Sequence, residues 1–182
     1  RTTVFGYYDA NGLGAVERVQ DHVPVPGEFL PRQRLWNIRA QRVVLATGAI
    51  EQPLVFAGND RPGVMLASAA RAYVNQYAVR PGRKAVVATG TDDGYRTALD
   101  LALAGVEVMA VVDHRPSANG AMPQAARARG IEVLTGHAVG GVMGLFDVGG
   151  VEVAAIDDQG RIANSTRQIA CDLVASAGVW QP

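Results

Sequence analysis

The chain has 182 residues, 48% of them apolar, and its 17 basic and 17 acidic side chains cancel. That length and apolar share support one domain with a sizeable core and part of a second, and the charge balance argues against nucleic acid as a partner. Cys171 alone cannot build an internal disulfide, no apolar run reaches the roughly 18 residues of a membrane span, and His22, His114 and His137 stand apart without ligand spacing, so neither membrane nor metal is expected.

No leader pattern opens the sequence, and a soluble, cytoplasmic protein is expected. Arg1 in the place of Met adds the expectation of a piece cut from a longer chain. The first third reads as β-ribbon. Thr2 to Tyr8 is rich in β-formers, Asn11-Gly12 is a turn signal, and Ala15 to Val19 returns. Residues 20–32 hold three prolines and Gly27 and read as a loop. Arg34 to Ala40 alternates polar and apolar, as a half-buried strand does. Arg42-Val43-Val44-Leu45-Ala46 is expected to be a short strand buried on both faces, running into Thr47-Gly48.

A connector with Pro53, Gly58, Pro62 and Gly63 follows, then a helix over Leu66 to Val79. Arg80-Pro81-Gly82-Arg83 marks a boundary. The expected division is residues 1–57, the β-rich tail of a first sheet domain; 58–82, connector and helix; and 83–182, a Rossmann-like α/β domain. In that last part Ala85 to Ala88 is a strand. Asp93 to Ala104 is a helix with Leu99, Ala102 and Leu103 on one side, and Gly105 stops it. Val106 to Val112 is the next parallel strand, joined by a right-handed crossover. A helix around Gln124 to Arg129 and a strand at Ile131 to Leu134 come next. Gly141 to Cys171 reads as a three-stranded antiparallel excursion, and Leu173 to Ser176 as the final strand. The ends rhyme: Val44 to Gly48, with Gln52-Pro53, against Val174 to Gly178, with Gln181-Pro182. Such duplication implies two related sheet domains in series.

The sharpest chemical feature is Thr89-Gly90-Thr91-Asp92-Asp93-Gly94 between strand and helix. A glycine-rich turn there lets a pyrophosphate approach the helix N-terminus, whose amides and dipole favour it. Aligned on the strand, the three glycine positions are Thr89, Thr91 and Gly94, with Gly90 an extra glycine. The aspartates allow another reading, a capped turn in a vestigial site, because a carboxylate takes the amides a phosphate needs and repels it. Asp113 ends the next strand 19 residues after Gly94, where an acid bonds the ribose hydroxyls of NAD; its alternative is a strand-end acid in solvent. His114 and Arg115 follow. An arginine there can accept a 2′-phosphate, but Asp113 argues for NAD over NADP. Thr47, Gly48, Ala177 and Gly178 follow buried strands, where small residues admit either a cofactor or an ordinary strand-to-loop turn. Trp36 and Trp180 read as packing residues and Cys171 as a buried structural thiol. No catalytic constellation is visible. Asn164-Ser165-Thr166 matches a glycosylation acceptor pattern that an intracellular chain does not use.

Leu45 to Pro53 resembles the segment around an Ala-Thr-Gly in flavoproteins with two dinucleotide-binding domains, one for FAD and one for NAD(P). Pro53 to Ser68, Tyr95 to Ala102 and Val111 to Pro116 are similar to the alpha subunits of heterotetrameric sarcosine oxidases, over nearly the whole chain. The resemblance implies an NAD-binding portion of an oxidoreductase, with Gly90, Gly94 and Asp113 on the nucleotide and Thr91 and Asp93 nearby. It implies beta, gamma and delta subunits and the remainder of this chain as partners. FAD, FMN and tetrahydrofolate are expected only in the full complex, which demethylates sarcosine oxidatively. This portion is expected to catalyse nothing alone and to bind no FAD, because no strand–glycine turn–helix precedes Val43. The uncovered strand edge of the leading third is expected to seek a partner. Two other readings remain: a subunit-docking scaffold with a vestigial site, and an opine or cyanide-forming amino-acid dehydrogenase subunit, which Asn59-Asp60-Arg61-Pro62 disfavours.

Overall fold

The structure is a computed structural model that describes residues 1–163 and 166–182. Asn164 and Ser165, within the acceptor pattern above, lie outside the described residues. By its contacts the chain divides into two units, residues 1–47 and 48–182. The division falls at Thr47, ten residues before the boundary expected at 57.

The first unit is an antiparallel sheet of β1 (Thr2–Tyr8), β2 (Gly12–Arg18) and β3 (Gln33–Arg39), with β2 in the middle. Its hairpin turn centres one residue earlier than the Asn-Gly signal: Ala10 and Asn11 have φ of 53° and 56°, and Gly12 is already extended at −78°. Paired positive φ values are what a tight hairpin requires. Tyr7 donates its hydroxyl to Asn11 Oδ1 at 2.8 Å, which ties the turn to its own strand. The sheet is thin. Its well-buried residues cluster on β2, while every residue of β3 is exposed.

The apolar run Arg42 to Ala46 is not a strand, contrary to expectation, and Val44 and Leu45 are 88% and 70% exposed. A strand is held by a ladder and by cover on its faces, and no described residue pairs with this run. β-propensity without a partner does not order a segment.

The second unit is an α/β sandwich. Its five-stranded parallel sheet has the order β5 (Val64–Leu66), β12 (Leu173–Ala177), β6 (Lys84–Thr89), β7 (Glu107–Asp113), β8 (Val133–Thr135). Helices α1 (Ala67–Tyr77), α2 (Asp92–Leu103) and α3 (Ala121–Ala128) contribute to one core, on one face of the sheet. The antiparallel strands β9 (His137–Met143), β10 (Gly150–Ala155) and β11 (Arg167–Ile169) contribute to the other. Alternation along the strands explains both cores. Val87, Val111 and Ala175 pack toward Tyr95, Ala98 and Leu101, while Val86, Val112 and Val174 pack toward Val139, Val151 and Cys171. The near-continuous apolar runs of β6, β7 and β12 are therefore the mark of a sheet covered twice. The connector expected at 58–82 supplies the edge strand β5 and the helix α1 to this sandwich.

Helix α2 turns a different face inward from the one expected. Tyr95, Ala98 and Leu101 are fully buried, and Leu103 is 66% exposed. The rotation is fixed at the first turn, where Gly94 lies against Thr89 and Tyr95 reaches β7. A Cβ on Gly94 would fall 2.4 Å from the Thr89 side chain. Two short strands, β4 (Ile50–Glu51) and β13 (Trp180–Gln181), pair antiparallel, so the chain beside the two rhyming segments of the sequence comes together in a ribbon. Glu51 is buried there and its Oε2 accepts the Ser68 amide at 2.9 Å, a carboxylate at the positive end of α1.

Candidate functional site

The carboxyl ends of β6 and β7 and the first turn of α2 form the site. Thr89 ends β6, and its hydroxyl accepts the Thr91 amide at 3.0 Å and donates to the Thr91 carbonyl at 2.8 Å, so the turn is held from within. Gly94 meets the demand for close helix–strand packing that the last glycine of a nucleotide turn serves. Gly90 serves a different need. The His114 ring lies over it, and a Cβ would stand 1.9 Å from that ring. The glycine thus admits an imidazole of the same chain.

Asp113 at the end of β7 is fully buried. Its Oδ1 accepts the Arg115 amide at 2.9 Å and Arg115 Nε at 3.1 Å. Its Oδ2 accepts the Tyr95 hydroxyl at 2.7 Å and Arg115 Nη2 at 2.8 Å. The strand-end acid is therefore not a solvent residue, and its acceptor sites are in use. Arg115 Nη2 also pairs with Asp92 Oδ1 at 2.9 Å, and the guanidinium lies 5.9 Å from the centre of the Tyr95 ring. The bonds to Asp113 and Asp92 hold the guanidinium firmly protonated, and burial beside Asp113 raises the Tyr95 phenol well above its ordinary range.

Asp93 pairs on the helix side, with Arg71 Nη1 at 3.4 Å and Arg96 Nη1 at 3.8 Å, and its Oδ2 is buried without a partner. Neither aspartate nor Thr91 caps the helix through its side chain. The α2 amides are thus not consumed by Asp92 or Asp93, although two carboxylates lie in the first turn. The residues fit a dinucleotide at Gly94 and at the α2 terminus. At Asp113 they fit only if Arg115 gives way.

The remaining expected residues separate from this cluster. Thr47 and Gly48 lie in coil at the division between the units, with Gly48 at φ 81°. Ala177 ends β12. At Gly178 a Cβ would fall 2.0 Å from the Gln52 carbonyl, so this glycine admits the neighbouring backbone. Cys171 is buried, and burial pushes its thiol up to about 11. His114 and His137, apart in sequence, line one cavity of about 120 Å³ with Phe56, Ala88, Thr89 and Val112. Tyr95 and Arg71, neither expected as a site residue, hold Asp113 and Asp93.

No family model matches the sequence. The chain is 49% identical over all 182 of its residues to the sarcosine oxidase subunit alpha of Rhizobium meliloti (strain 1021). It is 42% identical over its whole length to that of Corynebacterium sp. (strain U-96). It spans 17% and 19% of those relatives, less than a fifth of their length. Among solved structures, thioredoxin reductase of T. acidophilum superposes with a TM-score of 0.62 at 17% identity, covering 82% of this chain and 48% of that one. In sequence the chain is similar to one segment of the sarcosine oxidase alpha subunits, and in fold it is similar to about half of a thioredoxin reductase.

Proposed function

We propose that residues 48–182 are the NAD-type nucleotide unit of a cytoplasmic sarcosine-oxidase-like oxidoreductase, and that residues 1–47 belong to an FAD-type domain of the same protein. The observation that carries this reading is the strand–turn–helix of β6 and α2 with a buried acid at the end of β7, in a chain 49% identical to a sarcosine oxidase alpha subunit. Gly90, Thr91, Asp93 and Gly94 would border the phosphates, and Asp113, His114 and Arg115 the adenosine ribose. Gly48, Ala177 and Gly178 would let a cofactor approach the backbone of the second unit, and Thr47 that of the first. The unit binds and orients, and contributes no catalytic side chain. Oxidation of sarcosine, the flavins, tetrahydrofolate and the beta, gamma and delta subunits belong to the whole complex. A bound NAD would supply a hydride-accepting ring.

Thermal unfolding of the full chain with millimolar NAD or ADP-ribose tests this. A ligand at 100 times its Kd raises stability by about 2.7 kcal/mol, a readily measured rise in Tm. No shift, in a chain whose circular dichroism shows it folded, overturns nucleotide binding.

A second reading, a subunit-docking scaffold with a vestigial nucleotide turn, is favoured by the engagement of Asp113 and by two acids in the first turn of α2. It predicts no rise in Tm with nucleotide but a rise on addition of the partner subunits.

A further inference from the structure

A carboxylate offers about four lone-pair sites. In Asp113 they receive the Tyr95 hydroxyl, the Arg115 amide and two nitrogens of the Arg115 guanidinium, and no part of the residue meets solvent. An acid at this place in the fold serves a nucleotide by accepting its two ribose hydroxyls. Here a side chain of the same protein holds those acceptors. The local sequence builds the arrangement. Asp113 Oδ1 takes the amide two residues on, an Asx turn that folds Arg115 back over its own strand end. Pro116 then restricts Arg115 to extended backbone, away from helix. The guanidinium also reaches Asp92 in the first turn of α2, so it spans from the ribose acid to the phosphate turn across the Tyr95 ring. His114, its neighbour, covers Gly90 of the same turn. Two consecutive side chains thus fill the ribose end and roof the glycine of one nucleotide seat.

We propose that Arg115 is a latch occupying the adenosine-ribose seat, and that it must leave Asp113 and Asp92 before a dinucleotide can bind. This rests on the nucleotide reading above. When the latch opens, the ribose hydroxyls replace the guanidinium on Asp113, and the freed guanidinium stays beside the ligand on its short backbone tether. A protein whose competent state is a fraction f of the whole binds with an apparent Kd raised by 1/f. If the latch is open in roughly a tenth to a hundredth of molecules, affinity falls about 10- to 100-fold. Affinity for nucleotide is then set by Arg115, and anything that draws the guanidinium away strengthens binding.

Calorimetric titration of the full chain with NAD, AMP and nicotinamide mononucleotide tests the latch. Arg115→Ala is expected to bind NAD and AMP at least tenfold more tightly than the parent chain, with nicotinamide mononucleotide unchanged because it lacks the adenosine ribose. A general loosening of the fold would not discriminate between the two mononucleotides. Arg115→Ala leaves Asp113 buried without its cation, so a second variant, Asp92→Asn, keeps that pair and removes the outer anchor. It is expected to gain about two- to fivefold over Asp93→Asn, which removes an equal charge without touching Arg115. Loss of NAD affinity in Arg115→Ala, with binding by the parent chain, overturns the latch and leaves the nucleotide reading standing. The absence of binding by the folded parent and both variants overturns the two together.

Discussion

The two units of this chain use the same strand-forming residues to opposite ends. In residues 48–182, Val86, Val87, Val111, Val112 and Val174 of β6, β7 and β12 are buried on the two faces of the sheet, between three helices and three antiparallel strands. In residues 1–47, Val4, Phe5, Tyr7, Tyr8, Leu35 and Trp36 stand on a single three-stranded sheet and remain 43–71% exposed. Local order in that sheet comes from polar contacts at its surface. Trp36 Nε1 and Arg34 Nη1 both donate to Glu17 Oε2, at 2.9 and 3.0 Å, and Arg34 lies over the Trp36 ring. Exposed ion pairs contribute little, about 0–1 kcal/mol each, whereas a buried leucine contributes several times more. The difference teaches that a ladder partner decides whether a strand forms, while a second layer decides whether it is stable.

Matched truncations give the largest expected contrast. Leu101→Ala, at a fully buried position, is expected to cost about 2–5 kcal/mol in denaturant unfolding. Leu35→Ala, at a position 71% exposed, is expected to cost no more than about 0.5 kcal/mol. Equal costs would break the comparison.

Cys171 gives a smaller, pH-dependent test. Its folded pKa, about 11, stands above the ordinary 9.0. The thiol is protonated in both states below pH 9, so its contribution is fully present there and is lost as pH rises through 9 toward 11. The loss is roughly 2–3 kcal/mol, and it should vanish in Cys171→Ala. Equal slopes for the two chains in pH-dependent unfolding would show that the thiol is not protected.

The smallest effect expected is in hydrogen exchange. Amides of β1 and β3 should exchange through local openings at low free energy, and those of β6, β7 and β12 only with global unfolding. Uniform protection across residues 1–47 and 48–182 would show that the two units unfold together.

Much of the second unit was legible because its signals are local and repeated. Apolar runs end in glycine turns, β6, α2 and β7 alternate at the spacing of a parallel crossover, and Gly105 closes its helix. The edge strand β5 was hidden because three residues carry no periodicity, and their pairing with β12 spans more than a hundred residues. The run Arg42 to Ala46 misled for the same reason: a ladder partner is not written in the strand itself.

By itself the sequence determined the α/β architecture, the position of the turn between β6 and α2 and the location of Asp113 at a strand end, because each follows from residue type and spacing over a few tens of residues. Only the tertiary structure decided what those residues touch. Tyr95 comes under Asp113 through the rotation of α2, His114 roofs Gly90, and Gln52 passes Gly178. The acid is engaged because Arg115 folds back onto it and onto Asp92, 23 residues earlier in the chain. A carboxylate's free lone pairs are a property of its surroundings in space, and no spacing along the chain records whether they are taken.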